Sequence, residues 1–158
     1  MEIKDKSLKE LETLSQDIRD RIIDVVSRKG GHFSSTLGAV ELTIGMHYVF
    51  DAFSDPFIFD VSHQCYPHKL LTNRWEEFET IRQFGGLSGF TKPNESKADY
   101  FVAGHSSTSI SLAVGAAKAI KLKNNGIIVE IYKYFKLIML SLLVKQVSFF
   151  FMKFCDTF

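Results

Sequence analysis

The run Phe57-Ile58-Phe59, opening onto Asp60-Val61-Ser62-His63-Gln64-Cys65-Tyr66-Pro67-His68-Lys69, does most to limit the folds open to this chain. Large apolar residues in succession, with no polar alternation, predict a short strand through Val61 that is covered on both faces, as in a parallel sheet. Pro67 suits the first turn of a helix running to about Thr72. Strand, sharp exit and helix start form the place where open α/β sheets receive ligands, at the carboxyl ends of their strands. Two histidines, His63 and His68, make the same stretch a candidate site.

The chain before it reads as helical. Ser7-Leu8-Lys9-Glu10 is a capping-box pattern. Leu8, Leu11, Leu14, Ile18, Ile22 and Val25 then recur at a spacing of three to four, predicting one amphipathic helix. Gly30 and Gly31 end it, because glycine takes the left-handed conformation that closes helices. Ser34 and Ser35 stand ready to cap a second helix with Leu37, Val40, Ile44 and Tyr48 on one face. Between these helices lies His32. It reads either as a loop histidine bonded to backbone or as an imidazole that moves protons beside a bound substrate.

Beyond the opening stretch, Trp75 to Gln83 predicts a short helix burying Trp75, Phe78 and Ile81. Gly85-Gly86-Leu87-Ser88-Gly89-Phe90 is too glycine-rich for an element interior and predicts a loop. Thr91 to Asp99 reads as polar, exposed and mobile, with no chemistry of its own. Gly104-His105-Ser106-Ser107-Thr108-Ser109 then precedes Ile110, Ala113, Val114, Ala117 and Ile120 at helical spacing. Hydroxyls and free N–H groups at a helix start suit an anion. Simple N-capping by one serine accounts for the same residues. Ile127-Ile128-Val129 predicts a second buried strand, so the order of elements gives an α/β domain: a partial parallel sheet flanked by helices.

Composition changes sharply after Gly126. All glycines, prolines and histidines lie at or before that residue, whereas 22 of the 32 residues from Ile127 to Phe158 are apolar. The expected division is therefore 1–129 as an α/β unit and 130–158 as an aberrant apolar tail. Lys133, Lys136, Lys145 and Lys153 interrupt the tail, leaving no membrane span of about 20 residues. A net charge of +1 offers no case for nucleic acid or an anionic membrane. The charged N-terminus lacks the apolar core of a secretory signal. Cys65 and Cys155 lack metal-type spacing and fit a reducing, cytoplasmic setting.

Five segments together resemble the N-terminal region of the 1-deoxy-D-xylulose-5-phosphate synthases, thiamine-diphosphate enzymes of the transketolase type. They are Gly30-Gly31-His32, Leu37 to Thr43, Asp60 to Lys69, Gly85 to Phe90 and Gly104 to Ser109. The resemblance implies an incomplete thiamine-diphosphate-binding domain and a homodimeric family, a dimer not expected to survive in this chain. The implied reaction is decarboxylation of pyruvate and transfer of its two-carbon unit to glyceraldehyde 3-phosphate, towards isoprenoids. The cofactor supplies the carbanion chemistry and protein groups position it. By resemblance, His32 matches a histidine near the reacting carbons. His63 matches a cofactor contact, and Gly104, His105 and Ser106 match a cofactor-binding triplet. No role carries over to His68 or Lys69.

Departures from the family pattern accompany the match. Ser62 stands where the family has glycine and Cys65 where it has alanine, both expected to crowd the cofactor side. The Gly-Asp-Gly motif that holds Mg²⁺ in the family should follow Val129, but Glu130-Ile131-Tyr132 stands there instead. The family's later domains, with the glutamate that activates the cofactor, have no counterpart in these residues either. The expectation is a truncated chain, inactive alone. The alternative is a non-enzymatic fragment that binds or modulates a full-length synthase.

Overall fold

A computed structural model describes residues 3–102 and 104–123. The first element is α1, Leu8–Lys29. Its capping box forms as expected: Ser7 Oγ accepts from the Glu10 N–H at 3.4 Å, and Glu10 Oε2 accepts from the Ser7 N–H at 2.8 Å. Arg28 and Lys29 occupy the last turn, where cations complement the helix dipole. Leu14, Ile18, Ile22, Val25 and Val26 form the buried stripe, with Leu11 at its margin. Leu8 falls outside the stripe and is 70% exposed. Gly30 closes the helix. At Gly31 a side chain has no room, since its Cβ would stand 2.9 Å from the Tyr66 hydroxyl at a φ of +155°.

The helix predicted around Leu37 to Tyr48 is two elements, α2 (Ser34–Leu37) and α3 (Val40–Val49), parted at Gly38-Ala39. Ser34 and Ser35 lie inside α2, which starts from Phe33 without a side-chain cap. Val40 and Ile44 are buried as expected, but Tyr48 turns outward and His47 takes the inner face. The short helix α4, Tyr66–Leu71, carries Pro67 in its first turn and is buried at every residue. Of the helix predicted over 75–83, only the 3₁₀ turn Glu77–Thr80 forms. Phe78 and Ile81 are buried nonetheless, and Trp75 packs at the core's edge. The last described element is α5, Ser109–Lys123.

Phe57, Ile58 and Phe59 are buried, but they form no strand. A strand exists only through a neighbour that takes its N–H and C=O groups. No such neighbour occurs among the described residues, and the predicted partner Ile127-Ile128-Val129 lies outside them, as does the 130–158 tail. The expected parallel sheet is thus replaced, over the described residues, by a helical arrangement. The expectation of two covered faces does hold. Phe57 and Phe59 join the main core with α1, α3 and α4, while Ile58 packs with Phe101 and with Leu112, Ala113 and Ala116 of α5. No helix among the described residues is long and apolar enough to cross a membrane.

Candidate functional site

Between Asp60 and Cys65 the backbone forms a compact knot. Val61 and Ser62 both adopt left-handed φ, 60° and 69°. The Asp60 carbonyl accepts from the Ser62 N–H at 2.7 Å and from Gln64 Nε2 at 3.1 Å. The knot turns His63 toward the loop after α1, where its ring stacks on His32 with centroids 3.7 Å apart and planes 21° from parallel. Thr36 of α2 donates its hydroxyl to the His63 carbonyl at 2.8 Å, fixing the knot against that loop. Phe90 walls the pair, with its ring 5.7 Å from His63 and 6.4 Å from His32.

Arg82 completes this group. Its Nη1 lies 3.3 Å from His32 Nε2. A guanidinium only donates, so Nε2 is the accepting nitrogen and His32 carries its proton on Nδ1. Burial, His63 and Arg82 all hold the His32 pKa below the usual imidazole range. A neutral imidazole with a defined tautomer, stacked on a second histidine ring, can take up a proton as a general base.

Ser62 and Cys65 do not crowd this group. Both are fully buried and face the 89–91 segment. Thr91 Oγ1 donates to the Phe101 carbonyl at 2.8 Å, so the Ser62 hydroxyl, 3.1 Å away, donates to Thr91. Cys65 Sγ lies 3.7 Å from the Gly89 carbonyl, and burial pushes its thiol pKa up to about 12. It is a packing residue, not a nucleophile.

Gly104, His105 and Ser106 are exposed and precede α5. An open groove of about 510 Å³ is lined by Val102, Gly104, His105 and Thr108, with Ser111 and Leu112 of α5. The tie from here to the knot is Asp60, whose Oδ1 accepts from the Ser109 N–H at 3.4 Å. Thus the first N–H of α5 already faces a carboxylate. The Thr108 and Ser111 hydroxyls donate to the His105 and Thr108 carbonyls.

This donor set suits a phosphate group in part, through Gly104, the exposed Ser106 and the helix start. Among the described residues no group of three or more His, Cys, Asp or Glu comes together. The described residues thus offer donors for part of a diphosphate group.

Sequence reasoning missed two parts of this region. Arg82 carried no local signal, being recruited by the fold from a position 50 residues after His32. Asp60 was visible as the first residue of the knot, but its role as the cap of α5 depends on a contact across 49 residues.

The chain belongs to the 1-deoxy-D-xylulose-5-phosphate synthase family, whose model matches residues 1–131. The 1-deoxy-D-xylulose-5-phosphate synthase of Aliarcobacter butzleri is 90% identical over 123 residues, which are 78% of this chain and 20% of that protein. The enzyme of the same name from Nitratiruptor is 73% identical over 124 residues, 78% of this chain and 21% of that protein. The one from Wolinella succinogenes is 74% identical over 122 residues, 77% of this chain and 20% of that protein. The chain thus spans about a fifth of the length of the curated relatives it matches.

Proposed function

We propose that residues 1–129 are the first part of a cytoplasmic thiamine-diphosphate transferase unit, built in the whole enzyme around a parallel sheet. The substrates would be pyruvate and glyceraldehyde 3-phosphate, and the product a precursor of isoprenoids. Support comes from family membership, from the buried apolar run at Phe57 to Phe59, and above all from the stacked His32–His63 pair. In this reading His32 handles protons near the reacting carbons, His63 contacts the cofactor, and Gly104, His105 and Ser106 meet its diphosphate. Residues 130–158 are a tail foreign to that unit.

The 158-residue polypeptide by itself does not carry out this reaction. Its sequence contains no Gly-Asp-Gly after Val129, so the oxygen ligands for Mg²⁺ are missing where the family places them. The purified polypeptide, given pyruvate, glyceraldehyde 3-phosphate, thiamine diphosphate and Mg²⁺, is expected to release no carbon dioxide above background. Calorimetry with thiamine diphosphate is expected to give no Mg²⁺-dependent heat at micromolar cofactor. Product formation, or a micromolar Mg²⁺-dependent isotherm, contradicts the proposal.

A further inference from the structure

Four ionisable side chains of opposite sign meet in the interior between α4 and the segment 88–99. The Lys69 ammonium lies 2.5 Å from Glu95 Oε2. Arg74 grips Asp99 with both terminal nitrogens at 2.8 Å and stands 3.5 Å from Glu95. Two cations and two carboxylates cancel. Into this set reaches His68, fully buried, with Nε2 3.0 Å from Asp99 Oδ1. An ionised carboxylate only accepts, so the His68 proton sits on Nε2 and its Nδ1 is an acceptor. His47 of α3 supplies the matching donor, its Nε2 3.0 Å from that Nδ1. The cluster is balanced while both imidazoles are neutral. A further proton on His68 would leave an unpaired buried charge beside Lys69 and Arg74.

The two carboxylates also hold the backbone of the segment. Asp99 Oδ2 accepts from the Lys92 N–H at 2.8 Å, and Glu95 Oε1 accepts from the Ser88 N–H at 2.7 Å. Phe90, the wall of the His32–His63 pair, lies within this stretch.

We propose that the cluster is a proton-operated latch: neutral His68 keeps segment 88–99 closed on α4, and one proton taken up at His68 releases it and withdraws Phe90 from the histidine pair. The charged and titratable groups facing His68 are His47 from α3, Lys69 from its own helix, Arg74 from the turn after it, and Asp99 from the segment, with Glu95 behind. The rings of Phe57 and Phe59 cover the remaining sides. Burial holds the His68 pKa below its usual range although Asp99 pulls the other way. In the open state His68 regains an ordinary pKa near 6.5. Above that pH both states are neutral and the latch stays closed. Below it only the open state takes the proton, and opening gains with each further fall in pH.

Amide hydrogen exchange on the full 158-residue chain tests this. After correction for intrinsic rates, the opening constants at the Ser88 and Lys92 amides are expected to rise about tenfold per pH unit below pH 6, one proton's worth. They should exceed those of the α1 amides at each pH. A flat profile, or opening of segment 88–99 only together with α1, overturns the latch. In His68→Gln, whose amide can still donate to Asp99 without titrating, the slope between pH 7 and 5 is expected to vanish, and its persistence also overturns the proposal. Should that variant fail to fold, ¹⁵N-histidine spectra of the unmodified chain decide. His68 is expected to keep its Nε2–H tautomer until the segment opens, whereas titration of His68 with the segment closed refutes the latch.

Discussion

Val61 carries backbone strain that its own side chain makes worse. A β-branched residue at a φ of 60° crowds its Cβ against the following carbonyl, at a cost of about 1 kcal/mol or more. Ser62, next in the chain at a φ of 69°, recovers part of its cost through its buried bond to Thr91. Val61→Asn, which tolerates this conformation, is expected to stabilise the chain by about 1 kcal/mol, read as a higher urea midpoint at unchanged slope. A lower midpoint would mean that Val61 packing outweighs the strain. The strain at Ser62 was foreseeable from a serine standing at a glycine position of the family. That at Val61 was not, because nothing in its neighbours marks it.

Among elements, α1 was the most legible, since its cap, its apolar spacing and its stop are all local signals. Removing one of them should show at this scale. Ser7→Ala removes the hydroxyl that accepts from the Glu10 N–H, while the backbone bond from residue 7 to the Glu10 carboxylate stays, and is expected to cost about 1 kcal/mol, measurable by thermal unfolding. The elements that sequence misread depend on distant contacts. The Phe57 to Phe59 run was recognisable as buried, but its assignment as a strand required a partner the described residues do not provide. Thr91 to Asp99 reads as a polar, mobile stretch because seven of its nine residues are polar or charged. Yet Asp99 is buried through bonds to Arg74 and His68, 25 and 31 residues away. A polar residue's burial is decided by whoever comes to meet it, which no local pattern records.

For the whole molecule, the two interior imidazoles set the response to acid. Burial, and then His68, lowers the His47 pKa to about 2. Once unfolded, His47 binds a proton below about pH 6.5, which the folded chain refuses, so stability falls as pH drops through that value. Between pH 7 and 5 this single group is expected to remove about 2 kcal/mol, with His68 acting in the same direction. Urea titrations across this range should show it; equal midpoints at pH 7 and 5 would mean that the buried histidines are charged in the folded state. Asp99, held well below the usual carboxylate range despite its burial, by His68, Arg74 and the Lys92 N–H, adds its own loss only at pH values below about 4.

Asp60 gives the molecule one more property. Its carboxylate sits where α5 would otherwise receive a visiting anion, and its carbonyl holds the knot that aims His63. An anion drawn to the first N–H of that helix therefore competes with a carboxylate belonging to the neighbouring loop. One acidic residue thus ties two separate landmarks of the chain, the knot and the start of α5, to a common point.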